Sequence, residues 1–224
     1  MSKDPGAVLI TGCSSGIGEL TARRLAGRGL TVYATARRPE SLTALAEAGC
    51  RTLALDVTDE ESMRAVVTAV EEAEDAVGAL VNNAGYSQSG ALETLPMERI
   101  RAQFETNVFG LVRMCQLVLP AMRRAGRGRI VNLSSMGGRL TFPGGGAYHA
   151  TKHAVEALSD ALRFEVSAFG IRVVVIEPGL IVTRFGETAA GSIASTADGA
   201  QAAGDDPYAE FNATVGSATA GVYE

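Results

Sequence analysis

The feature that most constrains this chain is an alternation of strand-like and helix-like stretches. Six short apolar runs are Ala7 to Thr11, Leu30 to Ala36, Arg51 to Leu55, Ala79 to Asn82, Arg129 to Leu133 and Arg172 to Glu177. Helical patterning fills the gaps. It covers Gly16 to Arg28 and Ser41 to Ala48, the latter with Gly49 as its C-cap. Thr58, with Glu61 three residues on, has the form of a capping box opening a helix to about Ala73. A long helical region follows Pro96, and another runs from Tyr148 to Phe169. Strands separated by helices imply a parallel sheet covered on both faces. Right-handed crossovers make that an α/β, doubly wound, Rossmann-like sheet. Ligands in such sheets sit at the carboxyl ends of the strands.

The rest of the chain fits this frame. Its 224 residues suit a single α/β domain, 1–224, with six recognisable strands and no seventh. The sixth strand is then expected as an open sheet edge. A net charge of −5 with no lysine/arginine cluster argues against nucleic acid. No apolar run is long enough for a bilayer, and Met1 to Gly6 lacks the form of a signal peptide. Cys13, Cys50 and Cys115 are odd in number and lack metal-ligand spacing. They read as free thiols in a reducing, cytoplasmic setting, with no metal expected. After Arg184 the periodicity fades, and Ser192 to Asp206 reads as a mobile loop. Asp206-Pro207 then has the form of a helix start, with Phe211, Val215 and Val222 suggesting a short helix. Residues about 184–224 are expected to form a lid.

Motifs fall at the ends of the strands. Thr11-Gly12-Cys13-Ser14-Ser15-Gly16-Ile17-Gly18 joins the first strand to the first helix. Glycines there let the backbone approach a pyrophosphate, and the helix N-terminus offers unpaired N–H groups. A plain strand-to-helix turn is the other reading, but its place after the first strand favours a dinucleotide. At the end of the second strand stands Ala36, followed by Arg37 and Arg38. An acid would bind the 2′-hydroxyl of NAD; arginines instead match a 2′-phosphate, which points to NADP(H). Two solvated arginines in an arginine-rich chain remain the alternative.

Tyr148 and Lys152 are four residues apart on a predicted helix and share one face. A cation some 4–5 Å from a phenol, at an effective dielectric near 20, favours tyrosinate by roughly 3–4 kcal/mol. That shift, ~2–3 pKa units, moves the phenol towards the working range of an acid/base catalyst. Y-x-x-x-K alone is common, but of twenty basic residues only Lys3 and Lys152 are lysine.

Taken together, T-G-x-x-x-G-I-G, the N-N-A-G at Asn82 to Gly85, Tyr148 with Lys152, and P-G-x-x-x-T from Pro178 to Thr183 resemble the short-chain dehydrogenase/reductase family, in its compact single-domain branch. The resemblance covers roughly residues 7 to 185. It implies a cofactor held by Gly12, Ser14, Ser15, Gly16, Ile17 and Gly18, with Arg37 as main and Arg38 as second phosphate contact. Asp56 and Val57 would meet the adenine; an aspartate capping the coming turn is the other reading of Asp56. Asn83, Ala84 and Gly85 would border the cofactor, with Asn83 also steadying the central strand. Pro178, Gly179 and Thr183 would lie beside the nicotinamide, with Thr183 on its carboxamide.

The same resemblance selects Ser135 over Ser134 to orient the substrate oxygen, and gives Asn107 a place in a proton relay through a helix distortion. Tyr148 would donate the proton in reduction, while Lys152 tunes Tyr148 and binds the nicotinamide ribose. Ser135, Met136, Phe142, Tyr148 and Phe185 would face the substrate, expected to be an apolar ketone, aldehyde or secondary alcohol, loosely as in steroid- and retinoid-acting members. A homo-oligomer is expected, dimeric through the helices at 97–125 and 148–169, with the tetramer surface missing. A catalytically idle NADP(H)-binding regulator is the competing reading. A methyltransferase would not need Y-x-x-x-K, and an epimerase or dehydratase would need a further domain.

Overall fold

The computed structural model describes residues 6–181, 189, 191–193 and 207–222. Thr183, Phe185 and most of the expected lid, Asp206 included, lie outside the described residues. Six parallel strands form one sheet: β1 (Ala7–Ile10), β2 (Val32–Ala36), β3 (Arg51–Ala54), β4 (Val77–Asn82), β5 (Gly128–Leu133) and β6 (Ile171–Ile176). Their spatial order is β3-β2-β1-β4-β5-β6, so the chain reverses direction across the sheet between β1 and β4. That is the doubly wound arrangement expected from the alternation, and its switch point lies where β1 and β4 end side by side.

Residue alternation along β1 sends side chains into two cores. Val8 and Ile10 pack with Val32 and Ala34 of β2 and with Ala22 of α1 (Gly16–Ala26). Leu45 of α2 (Thr43–Glu47) completes that side. Ala7 and Leu9 face the other side, where Met63, Val66 and Val70 of α3 (Glu60–Glu74) pack. Leu80 of β4 and Ile130 of β5 continue this second core, which Met114 and Val118 of α5 (Gly110–Arg124) and Val155 of α6 (Gly146–Ser167) close.

Two local expectations shift. The N-cap of α3 is Asp59, not Thr58: its carboxylate accepts from the N–H groups of Glu61 and Ser62, while the Thr58 hydroxyl donates to Asp56. An aspartate one residue nearer the helix takes the cap, so Glu61 makes no reciprocal box. The Ser41-to-Ala48 stretch divides into a 3₁₀ turn at Pro39–Leu42 and the short α2. The long region after Pro96 carries the helix distortion that the family resemblance places at Asn107. A π-helical turn, Glu105–Phe109, separates α4 (Met97–Phe104) from α5.

Beyond β6, α7 (Ala209–Val222) folds back over the chain between β4 and α4. Asn212 Oδ1 accepts from the Ala91 N–H at 3.1 Å, and Tyr208 donates to Glu93 at 2.6 Å. Among the described strands β3 and β6 are the sheet edges, and on β6 Val174 and Ile176 are exposed at 41% and 45%.

A polar ladder crosses the second core. Asn82 Nδ2 donates to Asn132 Oδ1 at 3.0 Å, and Asn132 Nδ2 donates to Ser159 Oγ at 2.9 Å. Ser159 donates onward to the Val155 carbonyl at 2.6 Å. All three side chains are buried, so each bond is made where water cannot replace it. Asn132→Ala is therefore expected to lower unfolding stability by about 1–3 kcal/mol, read as a shifted urea midpoint at unchanged m-value.

Candidate active site

The carboxyl ends of β1 and β4 are tied by side-chain bonds that no strand ladder supplies. Thr11 Oγ1 accepts from the N–H groups of Asn83 and Ala84, each at 3.0 Å. Asn83 Nδ2 donates to the carbonyls of Thr11 at 2.9 Å and Gly12 at 2.8 Å. Gly12 has φ +73°, and a Cβ there would stand 2.8 Å from the Ala84 Cα. A Cβ on Gly18 would come 2.5 Å from both Asn83 Nδ2 and the Gly12 carbonyl oxygen. Gly18 is thus buried in this knot and does not line the cleft, unlike Gly12, Ser14, Ser15, Gly16 and Ile17.

The knot sets the N-terminus of α1 at the floor of a cleft of about 1090 Å³. Ser15, the N-cap, makes no side-chain capping bond, which leaves first-turn N–H groups of α1 directed to the cleft. From there the cleft passes the exposed Arg37 and Arg38 and then Asp56, Val57, Ala84 and Gly85. It ends among Ser135, Met136, Phe142, Tyr148, Lys152, Pro178 and Gly179. Unpaired helix N–H groups at one end and two guanidiniums beside them suit a dinucleotide bearing phosphates. The residues present therefore fit a nicotinamide dinucleotide. Asp56 faces the cleft but spends one carboxylate oxygen on Thr58, accepting from its N–H at 2.9 Å and its hydroxyl at 2.7 Å. Both readings of Asp56 thus have a structural counterpart.

At the far end the reactive side chains hang on α6. Lys152 is buried, and its Nζ donates to the Leu133 carbonyl at 2.7 Å and lies 5.8 Å from the centre of the Tyr148 ring. Burial pulls its pKa down from 10.5 to about 8, partly offset by the nearby Glu156 carboxylate. Ser135 begins a 3₁₀ turn, Met136–Gly138, and its Oγ accepts from the Gly137 N–H at 3.1 Å. Met136 is half-buried and Phe142 is 47% exposed, and together they give the cleft an apolar wall.

Asn107 lies in the π-helical turn and is fully buried. Its Oδ1 accepts from the Tyr86 N–H at 3.0 Å; its Nδ2 donates to the Tyr86 carbonyl at 2.9 Å and to Thr151 Oγ1 at 3.1 Å. Thr151 in turn donates to the Tyr148 carbonyl at 2.7 Å. Asn107 thus reaches the cleft through backbone and Thr151. A Cβ on Gly85 would approach Asn107 Oδ1 at 3.0 Å and Lys152 Nζ at 3.9 Å, so the backbone of N-N-A-G runs directly between them.

Two contributors escape motif reading. Thr151 is visible only as the residue before the lysine in Y-H-A-T-K. His149 is buried beside Tyr148, and its Nδ1 accepts from the Phe142 N–H at 3.3 Å. Burial and the neighbouring His153 pull its pKa down, keeping that nitrogen an acceptor. The three cysteines are buried free thiols. Burial pushes Cys13 and Cys115 up to about 12, so neither supplies a thiolate near neutrality. Among the described residues no group of three His, Cys, Asp or Glu side chains suits a metal, and no helix is long and apolar enough to cross a membrane.

Fold and cleft define a dinucleotide-binding α/β protein. Residues 6–192 match the family model described as short chain dehydrogenase. A 3-ketodihydrosphingosine reductase from Bacteroides thetaiotaomicron is 43% identical over 181 residues, 81% of this chain and 66% of that relative. The chain thus spans about two thirds of that curated relative's length. The solved structure of a metagenomic short-chain oxidoreductase in complex with NADP superposes with a TM-score of 0.75 at 31% identity, covering 80% of this chain and 84% of that one. NAD⁺-bound xylitol dehydrogenase gives a TM-score of 0.76 at 30% identity over 81% of this chain and 72% of that one. The chain belongs to the short-chain dehydrogenase family.

The buried Lys152 gives the site a pH signature. Its folded pKa lies below the unfolded value, so the unfolded chain binds more protons between about 8 and 10.5. Stability relative to Lys152→Met is expected to rise with pH across that window and to be flat below it. Urea unfolding of both chains from pH 7 to 10 measures the difference.

Proposed function

We propose that the protein is an NADP(H)-dependent oxidoreductase acting on the carbonyl or secondary alcohol of a small apolar molecule. The observation that carries this reading is one continuous cleft with Arg37 and Arg38 at one end and Tyr148, Lys152 and Ser135 at the other. Ser14 to Ile17 would hold the diphosphate at the α1 N-terminus, and the two arginines the 2′-phosphate. Pro178 and Gly179 would border the nicotinamide. Family members with NADP and with NAD⁺ both fit the fold, so the choice rests on the arginines and on the absence of an acid at Ala36.

Bound in this cleft, the nicotinamide supplies or takes up the hydride. The chain's own groups handle the oxygen. In reduction the Tyr148 hydroxyl gives its proton to the substrate oxygen, and the Ser135 hydroxyl donates a hydrogen bond that orients it. Lys152 favours the tyrosinate left behind and presents its remaining N–H bonds to ribose hydroxyls. Asn107 acts as a positioning residue, through Tyr86 and Thr151. The apolar wall of Met136 and Phe142, with Leu180 and Ile181 beside it, supports a lipophilic substrate. The docking of α7 over the 88–93 segment, where Ala91 meets Asn212, supports a covering role for the C-terminal segment.

Exposed Phe109 (54%) and Phe164 (80%), one beside α5 and one on α6, support a dimer through the long helices. The idle-regulator reading is separated by turnover alone. A ketone and aldehyde panel should show carbonyl-dependent NADPH consumption. Cofactor binding with no turnover on any carbonyl or alcohol would favour the regulator.

Two substitutions test the roles. Tyr148→Phe should lower kcat by at least about 10³-fold while NADPH binding, followed by fluorescence, stays within about threefold. Arg37→Ala should raise the KM for NADPH at least about tenfold and leave that for NADH nearly unchanged. A wild-type preference for NADH would overturn the cofactor assignment.

A further inference from the structure

The mechanism uses the Ser135 hydroxyl, yet Ser135 stands on a loop leaving β5. Its backbone meets the segment after β6 at one point, where Met136 N–H donates to the Pro178 carbonyl at 2.9 Å, and within the loop Gly138 N–H donates to the Ser135 carbonyl at 2.8 Å. The same loop carries Arg139, at the end of its 3₁₀ turn, which no proposed catalytic step employs. Its Nη2 lies 3.0 Å from Glu156 Oε2 on α6. The same nitrogen donates to Glu177 Oε1, just past β6, at 2.9 Å, and Nε donates to that oxygen at 3.2 Å. One guanidinium thus joins the three segments that converge on the far end of the cleft.

The two carboxylates differ in environment. Glu177 is 37% exposed, and its pair with the half-open Arg139 is weak on its own. Glu156 is 7% exposed, one helical turn beyond Lys152, and among the described residues its oxygens make no hydrogen bond. Arg139 is its compensating charge there, at contact distance but without hydrogen-bond alignment. Gly138 makes the approach possible: a Cβ there would stand 2.6 Å from Ser134 Oγ and 3.1 Å from Glu156 Oε1. A buried ion pair is a poor way to gain stability, since an apolar replacement often serves as well. Its use behind a reacting group is better explained by geometry.

We propose that Arg139 is a positioning residue: by bridging Glu156 and Glu177 it locks the loop after β5 to α6 and to the end of β6, fixing the Ser135 hydroxyl relative to Tyr148. The inference rests on the reductase reading above.

The test is a double-mutant cycle on the full chain, using NADPH and the best carbonyl of the panel. R139A should lower kcat about tenfold or more, with the NADPH Kd and carbonyl KM changed less than about threefold. R139K should restore at least about half of the lost kcat. In an S135A background, R139A should cost less than about a further twofold, because a residue acting through Ser135 has nothing left to position. If thermal unfolding shows R139A to be misfolded, R139A/E156Q replaces it in the same cycle, since it removes the buried charge together with its partner. Kcat within twofold of wild type, or losses that multiply with S135A, overturn the proposal. A wild type without turnover overturns the reductase reading and this inference with it, whereas an active wild type with an indifferent R139A sinks only the inference.

Discussion

The site depends on a join between the ends of β1 and β4. A parallel sheet supplies hydrogen bonds along its strands, but past their carboxyl ends the backbone must find other partners. Here Thr11 and Asn83 supply them, each side chain bonding the other segment's backbone twice. The join is tight enough that a single methyl group on Gly12 or Gly18 would collide with it. Because it fixes where α1 begins, it also fixes where a phosphate can meet that helix. Everything placed further along the cleft is measured from this point.

The other end of the cleft is organised by α6. That helix presents Tyr148 and Lys152 on one face and extends the same line inward through Val155, Glu156 and Ser159. Lys152 bonds the Leu133 carbonyl, Ser159 bonds Asn132, and Glu156 meets Arg139. All three contacts reach β5 or the loop that leaves it. The helix is therefore anchored by polar contacts to the element that carries Ser135, and apolar packing of Val155 and Val166 does the rest. Such an anchoring suits chemistry in which a hydroxyl and a phenol must address one oxygen atom.

Much of this was legible in the residues. Six apolar runs gave six strands: β1 and β2 are buried along their whole length and leave an apolar signature that needs no partner to be seen, while the edge strands β3 and β6 are apolar runs with exposed positions. The spacing of Tyr148 and Lys152 gave a shared helix face for the same local reason. What misled was competition between neighbours. Thr58 looked like a cap because it precedes Glu61, but Asp59 was nearer and a better acceptor. The apolar periodicity of 97–125 by itself reads as one helix, because a single extra residue in a π-helical turn hardly disturbs it over that length; the distortion at Asn107 was signalled only by the family resemblance. Gly18 belongs to the same glycine motif, but its place against Asn83 and the Gly12 carbonyl, where a Cβ would collide, is set by the tertiary fold.

The sequence by itself determined the sheet, the helices that cover it, and which reactive residue types lie at the ends of which strands. Those are local properties, set by periodicity, turn chemistry and spacing within a few residues. Tertiary structure alone decided what stands beside what. Asn107 meets Thr151, Thr11 meets Asn83, and Arg139 spans Glu156 and Glu177 across separations that no local rule encodes. Each of these polar contacts exists because the crossovers of a doubly wound sheet bring distant loops together at one edge, where backbone and charge need partners that their own elements cannot provide.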